Sequence, residues 1–277
     1  MNVESGNSSR HPQAIALTSS RLNRDIELPP AVKAQEAEIS SRTIAYCQEA
    51  LDRSRFFCRL KAGGITSPMM QYAFLQYHHW RNRLHQWFGL CIVKAGSCTD
   101  PDRKSAIMSL ADHIFTDLQD GHNEMYVEFL HELGLSDTEI MAAQRSAATA
   151  SYERSFFDEF GYGTDNFYEA LAALSGRELC VSVRNARLLQ SYYDARGMKH
   201  PTWLSLHAQL EVNHFLDSIR PVLRSYEGDC AKLTSVIKAV ERGIDRHVQY
   251  FEELLHEYES SGLASITPTA LRSINSR

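Results

Sequence analysis

The stretch HAQLEVNH, residues 207–214, places His207, Glu211 and His214 at intervals of four and three. A helical residue advances about 100°, so the three side chains fall within an arc of roughly 60°. In a helix over 201–225, Trp203, Leu204, Phe215, Ser218 and Val222 share that face, whereas Gln209, Asn213 and Asp217 lie off it. Three titratable groups therefore stand on the apolar side. A carboxylate there costs several kcal/mol unless it is paired or bound to metal. Two readings follow: a buried glutamate between two hydrogen-bonding histidines, or a set of metal ligands. The second needs further ligands, which in a helical bundle come from facing helices.

The rest of the chain agrees. After Pro29-Pro30 the pattern becomes helical, with segments expected near 30–61, 68–95, 101–118, 120–133, 137–147, 165–195, 201–225 and 229–258; residues 148–162 are left unassigned. Ser67-Pro68 and Asp100-Pro101 read as N-cap followed by proline, and Ser136-Asp-Thr-Glu139 as a capping box. Pro221 is expected to kink or end its helix. No stretch alternates as a strand does. The expectation is an all-α, single-domain bundle of seven to eight helices over 29–262. An N-terminal tail (1–28) and a C-terminal tail (263–277) are expected to be disordered or peripheral.

Bulk properties exclude several classes. The 277 residues carry a net charge of −5 and no Lys/Arg block, which argues against nucleic acid or an anionic membrane as partner. Apolar runs such as 88–93 are too short to span a bilayer, and the N-terminus lacks the apolar core of a secretory signal. Six dispersed cysteines without a CxxC fit reduced thiols in the cytoplasm.

Partners for the 207–214 triplet should be acids or histidines on otherwise apolar stripes of other helices. In 165–195, Leu171, Leu174, Ser175, Glu178, Ser182 and Asn185 line one face, with Arg177, Arg184 and Arg187 expected to point away. Glu178 is the acid on the inward face. In 120–133 the stripe His122, Met125, Tyr126, Phe129, Leu133 carries one histidine. Asp117 ends the stripe Ile107, Leu110, Ile114; Asp112 and Asp120 compete for its role. The set Asp117, His122, Glu178, His207, Glu211 and His214 holds three carboxylates and three imidazoles. It is too large for a closed structural zinc site and suits two bridged first-row ions, iron or manganese before copper.

These motifs resemble the heme-oxygenase-like diiron oxidases and oxygenases, relatives of the TenA and PqqC proteins, over about residues 50–225. SRFFCRLKAGGITSPMMQYAFLQYHHW (54–80) resembles the family's entry to its second helix. HIFTDLQDGHNEMYVEFLHELGL (113–135) resembles the segment with an acid followed by a histidine, and ALSGRELCVSV (173–183) the helix with the next glutamate. HAQLEVNH matches the family's His-x3-Asp-x2-His. The chain departs in having Glu211 where the family usually has Asp, Asp117 where it usually has Glu, and a shorter spacing between Asp117 and His122.

The resemblance implies two Fe ions held by those six side chains and dioxygen as co-substrate. The substrate implied is a small, amino-acid-derived organic molecule undergoing N-oxygenation, C–C cleavage or desaturation in natural-product biosynthesis. An external electron donor and a homodimer belong to the same expectation. Heme is not expected, because 30–61 contains no histidine to serve as axial ligand. Two alternatives remain at this level: a metal-free PqqC- or TenA-like enzyme using the same pocket, with Cys180 beside Glu178 as a possible TenA-type nucleophile, or a non-catalytic helical binding protein. Tyr72, His78 and His79 are further candidates for the cavity, or packing residues.

Overall fold

Eleven α-helices and no strand make up the described residues, 28–97, 99–162, 166–226 and 229–261, of the computed structural model. The expected tails lie outside them, apart from Leu28. The helices are α1 (Pro30–Arg53), α2 (Arg55–Lys61), α3 (Ser67–Arg81), α4 (Leu84–Lys94), α5 (Pro101–Gln119) and α6 (His122–Glu132). They continue with α7 (Asp137–Ala142), α8 (Ala147–Phe156), α9 (Phe167–Leu188), α10 (Thr202–Tyr226) and α11 (Cys230–Ser260). No helix among the described residues is long and apolar enough to cross a membrane.

The helix count exceeds the expected seven to eight because two long segments are each cut in two, and one further helix, α8, forms in the unassigned stretch after the expected 137–147 segment. Segment 30–61 breaks at Ser54, where the backbone is extended (φ −73°, ψ 133°). The Glu252 carboxylate on α11 caps the new start: it accepts from Ser54 Oγ and Arg55 N, both at 2.7 Å, and from Phe56 N at 3.4 Å. Segment 68–95 breaks at Asn82–Arg83. The unassigned stretch begins as α8, capped by Ser146 Oγ. Its buried stripe includes the polar Thr149 and Glu153, which masks the apolar period. It ends in a turn of π-helix, Phe157–Tyr162.

The caps at Asp100 and Ser136 form as read. At α3 the cap is Thr66, one residue earlier than expected, accepting from Met69 N. Pro221 does not end its helix; α10 runs on to Tyr226.

The centre of the bundle is α9, packed chiefly against α10 and α11 and buried around its whole circumference. The expectation that its arginines face outward is corrected for Arg177 and Arg184; Arg187 is half-buried and reaches the exposed Asp52 at 2.7 Å. Arg177 (1% exposed) pairs with Glu159 and lies 3.6 Å from the Phe156 ring centroid. Arg184 (0% exposed) donates to Asn185 Oδ1 and His247 Nε2 and stacks over Tyr77. Helices α9 and α11 approach so closely that Gly176 meets the Val240 backbone and Gly243 the Ala173 backbone; a Cβ at either position would overlap a carbonyl.

Candidate metal centre

Helix α10 turns His207, Glu211 and His214 inward, all three buried. His207 Nδ1–H donates to the Trp203 carbonyl one turn back at 2.9 Å. That bond leaves Nε2 as the nitrogen with a free lone pair. The His207 ring also stacks on Trp203, centroids 4.5 Å apart. Glu211 reaches in two directions: its Oε2 lies 2.8 Å from His214 Nδ1 and its Oε1 3.9 Å from His207 Nε2.

Helices α5, α6 and α9 supply the remaining groups. Glu178 on α9 approaches the same His214 nitrogen at 3.6 Å. His122 opens α6 directly after Gly121, whose φ of 69° is left-handed and sharply redirects the chain out of α5. This turn brings His122 Nδ1 to 3.0 Å from Asp117 Oδ1, five residues back.

Donor atoms fall into two groups, each within 4.8 Å of one another: His113, Glu178, Glu211 and His214; and Asp117, His122 and His207. The His122 and His207 ring centroids are 4.9 Å apart, and those of His113 and His214 3.6 Å. All six residues read from the sequence are thus brought together. His113 is the member that reading missed. It stands one turn before Asp117 on α5, against Phe88. Of the rival acids, Asp120 is an exposed helix end and Asp112 is half-buried beside a polar cavity of about 20 Å³. Ser109, Thr116, Asp217 and Ser218 share that cavity with His113 and His214. His78 bonds Asn82, Tyr72 donates to Glu257, and Cys180 neighbours Cys47; these and His79 belong to neither group.

Burial sets the electrostatics. Desolvation, reinforced by Glu211, pushes Glu178 well above the usual carboxylate range. Burial pushes Glu211 the same way, but the neighbouring His214 outweighs it and holds Glu211 ionised. Burial opposes charging His214, yet Glu211 and Glu178 raise it to about 10. Desolvation leaves His207 neutral, down at about 3, and His113 neutral as well. For Asp117, burial is overcome by the His122 hydrogen bond and the Arg81 guanidinium, and it stays ionised.

This inventory suits a metal. Two carboxyl groups in contact, one forced to hold a proton, form a place where a cation replaces that proton. Donors on one ion with bonds of ~2.1 Å stand up to ~4.2 Å apart, so closing a 4.8 Å group takes less than an ångström. Nitrogen and oxygen donors without thiolate suit iron, as they suit manganese or zinc.

Solved structures share the fold. A TenA homolog from Pseudomonas syringae pv. tomato superposes with TM-score 0.62 at 13% identity, over 79% of this chain and 93% of that one. A domain with a heme oxygenase-like fold from Shewanella denitrificans gives 0.63 at 12%, over 80% and 93%. A TenA family transcription regulator from Silicibacter gives 0.56 at 15%, over 81% and 96%. At these identities the likeness establishes the heme-oxygenase-like fold alone. No curated protein matches the sequence significantly. The family model described as "Iron-containing redox enzyme" matches residues 71–248, a span that includes every residue of both donor groups, and the chain belongs to that family.

Proposed function

We propose that the protein is a dioxygen-dependent, non-heme diiron oxidase or oxygenase. In this reading it acts on a small organic substrate, amino-acid-derived, in cytoplasmic natural-product biosynthesis. The observation that carries it is Glu211, whose Oε2 lies 2.8 Å from His214 in the larger donor group and whose Oε1 lies 3.9 Å from His207 in the smaller, so that one carboxylate would be available to both. His113, Glu178, Glu211 and His214 would hold one ion; the group built around His122 and His207, with Asp117 beside them, would hold the other. Bound iron supplies the redox chemistry with dioxygen, which no side chain here can perform.

The chain's own residues prepare the place. Trp203 fixes the His207 ring by stacking and by its carbonyl. Phe88 and Trp203 wall the two ends of the donor set with apolar rings, which keeps water away and strengthens each ionic contact. Glu178 would give up its proton to a bound cation, so metal binding would be coupled to proton release. The polar cavity of about 20 Å³ against His113 and His214, between α5 and α10, has room for a water-sized molecule beside the larger donor group. An external electron donor and a homodimer complete the reading; exposed Met108, Phe115 and Leu118 along α5 support a second copy on that side.

Anaerobic titration with Fe(II), with bound iron counted after gel filtration, tests this. The unaltered protein should hold iron tightly and show a transient visible absorption on exposure to oxygen. His207→Ala should keep its helical circular dichroism and lose bound iron. Near-zero uptake by the unaltered protein would refute the reading.

A further inference from the structure

We propose that Asp117 is a positioning residue and not a metal ligand: Arg81 holds its carboxylate, which holds the His122 ring so that Nε2 is the nitrogen offered to the ion. The inference rests on the diiron reading above and refines its smaller donor group.

Both oxygens of Asp117 are already claimed. Arg81 Nη1 donates to Oδ2 at 3.0 Å, and Arg81 Nη2 donates to Oδ1, a bidentate pair. His122 Nδ1–H also donates to Oδ1, at 3.0 Å. Arg81 itself is 3% exposed and steadied by Asn123 Oδ1 at 3.1 Å. Drawing the carboxylate onto an ion would strip a buried guanidinium of its counter-charge, among the costlier changes a protein interior can suffer.

Glu211 is placed differently. It bonds His214 through Oε2 and leaves Oε1 toward His207, with no guanidinium upon it. The two nitrogens across the smaller group are equivalent in kind. His207 spends Nδ1 on the Trp203 carbonyl and His122 spends Nδ1 on Asp117, so each presents Nε2. A carboxylate behind a ligating imidazole fixes its tautomer and orientation and raises its basicity; its loss typically weakens metal binding 10–100-fold without removing a ligand. The ligand set becomes His113, His122, Glu178, His207, Glu211 and His214, with Arg81 and Asp117 behind His122.

Arg81→Lys decides between the roles because they predict opposite signs. A lysine keeps the charge and gives up the bidentate grip. A positioning pair loosened in this way should bind Co(II), the probe, at one of two positions about tenfold more weakly, with two equivalents still bound. If Asp117 is a ligand for which Arg81 competes, the same change frees an oxygen and tightens binding, and the proposal is wrong.

The double variant R81Q/D117N, which removes both charges together, checks stoichiometry. It should retain two equivalents and the ligand-field spectrum of bound Co(II) at lower affinity, whereas His113→Ala should retain one. Loss of an equivalent from R81Q/D117N, with His113→Ala keeping both, would also overturn the assignment. Failure of the unaltered protein to bind Co(II) at all would count against the diiron reading instead.

Discussion

Glu178 shows what a single side chain costs and contributes here. Without metal its carboxyl is held protonated by burial and by Glu211, so it behaves as a neutral group. Glu178→Gln replaces a neutral acid by a neutral amide of similar shape. The metal-free variant should therefore melt within a few degrees of the unaltered protein, while iron affinity falls at least a hundredfold. A large loss of metal-free stability would mean that Glu178 is ionised, contrary to this account. The same scale shows how far the sequence could be read. Glu178, His207, Glu211 and His214 were legible because each breaks an apolar stripe. His113 was not, because the stripe drawn on α5 ran through Ile107 and Ile114, which are only half-buried. The buried side runs through Ala106, Ser109, Leu110 and Asp117, with the half-buried His113 beside it, and hydrophobicity alone gives Ser109 and His113 no weight there. Arg81 was equally invisible: nothing in its own helix announces a carboxylate 36 positions away.

At the level of elements, the crossing of α9 and α11 holds the centre in place. Gly243→Ala would gain up to ~1 kcal/mol of helix propensity. Against that, the new methyl meets the backbone of Ala173, which cannot swing aside as a side chain does. Overpacking of this kind costs roughly 1–3 kcal/mol or more. A net loss is expected, seen as a Tm lower by about 2 °C or more in thermal unfolding; an unchanged or higher Tm would show that the helices can separate cheaply. Element boundaries were legible where the signal is local, as at the Ser136 capping box, which needs only four residues. The break at Ser54 depends on Glu252, some two hundred residues away, and no local pattern reports it. Two of the three arginines of α9, Arg177 and Arg184, depart from the helical wheel for a related reason. A wheel assigns charge to solvent, but α9 has neighbours on every side, and Arg177 and Arg184 are accommodated by aromatic faces, Glu159 and His247.

For the whole molecule, the all-α character follows directly from sequence periodicity, whereas the burial of so many imidazoles emerges only on folding. His78, His113, His207 and His247 are all lowered below 6.5 by burial, His78 to about 4 and His207 to about 3. The unfolded chain takes up protons at these positions below about pH 6.5, and the native state refuses them. Stability must then fall as the pH drops, by up to about 1.4 kcal/mol per pH unit for each histidine. His214 adds nothing further below 6.5: raised to about 10, its contribution is already complete there and is lost on the alkaline side, while Glu178, which keeps its proton in the native state, offsets only about one of the four histidines. Urea denaturation of the metal-free protein should therefore give a markedly lower free energy of unfolding at pH 5.5 than at pH 7. Equal values would mean that these rings are wet or charged in the native state.

Anomalous X-ray scattering at the iron edge, from crystals loaded anaerobically with Fe(II), addresses the central claim most directly. The account places two iron peaks inside the bundle, one within about 2.0–2.3 Å of donors from His113, Glu178, Glu211 and His214, the other beside His122 and His207. Iron bound only at surface carboxylates, with the Glu178–His214 contact left as it stands at 3.6 Å, would contradict it.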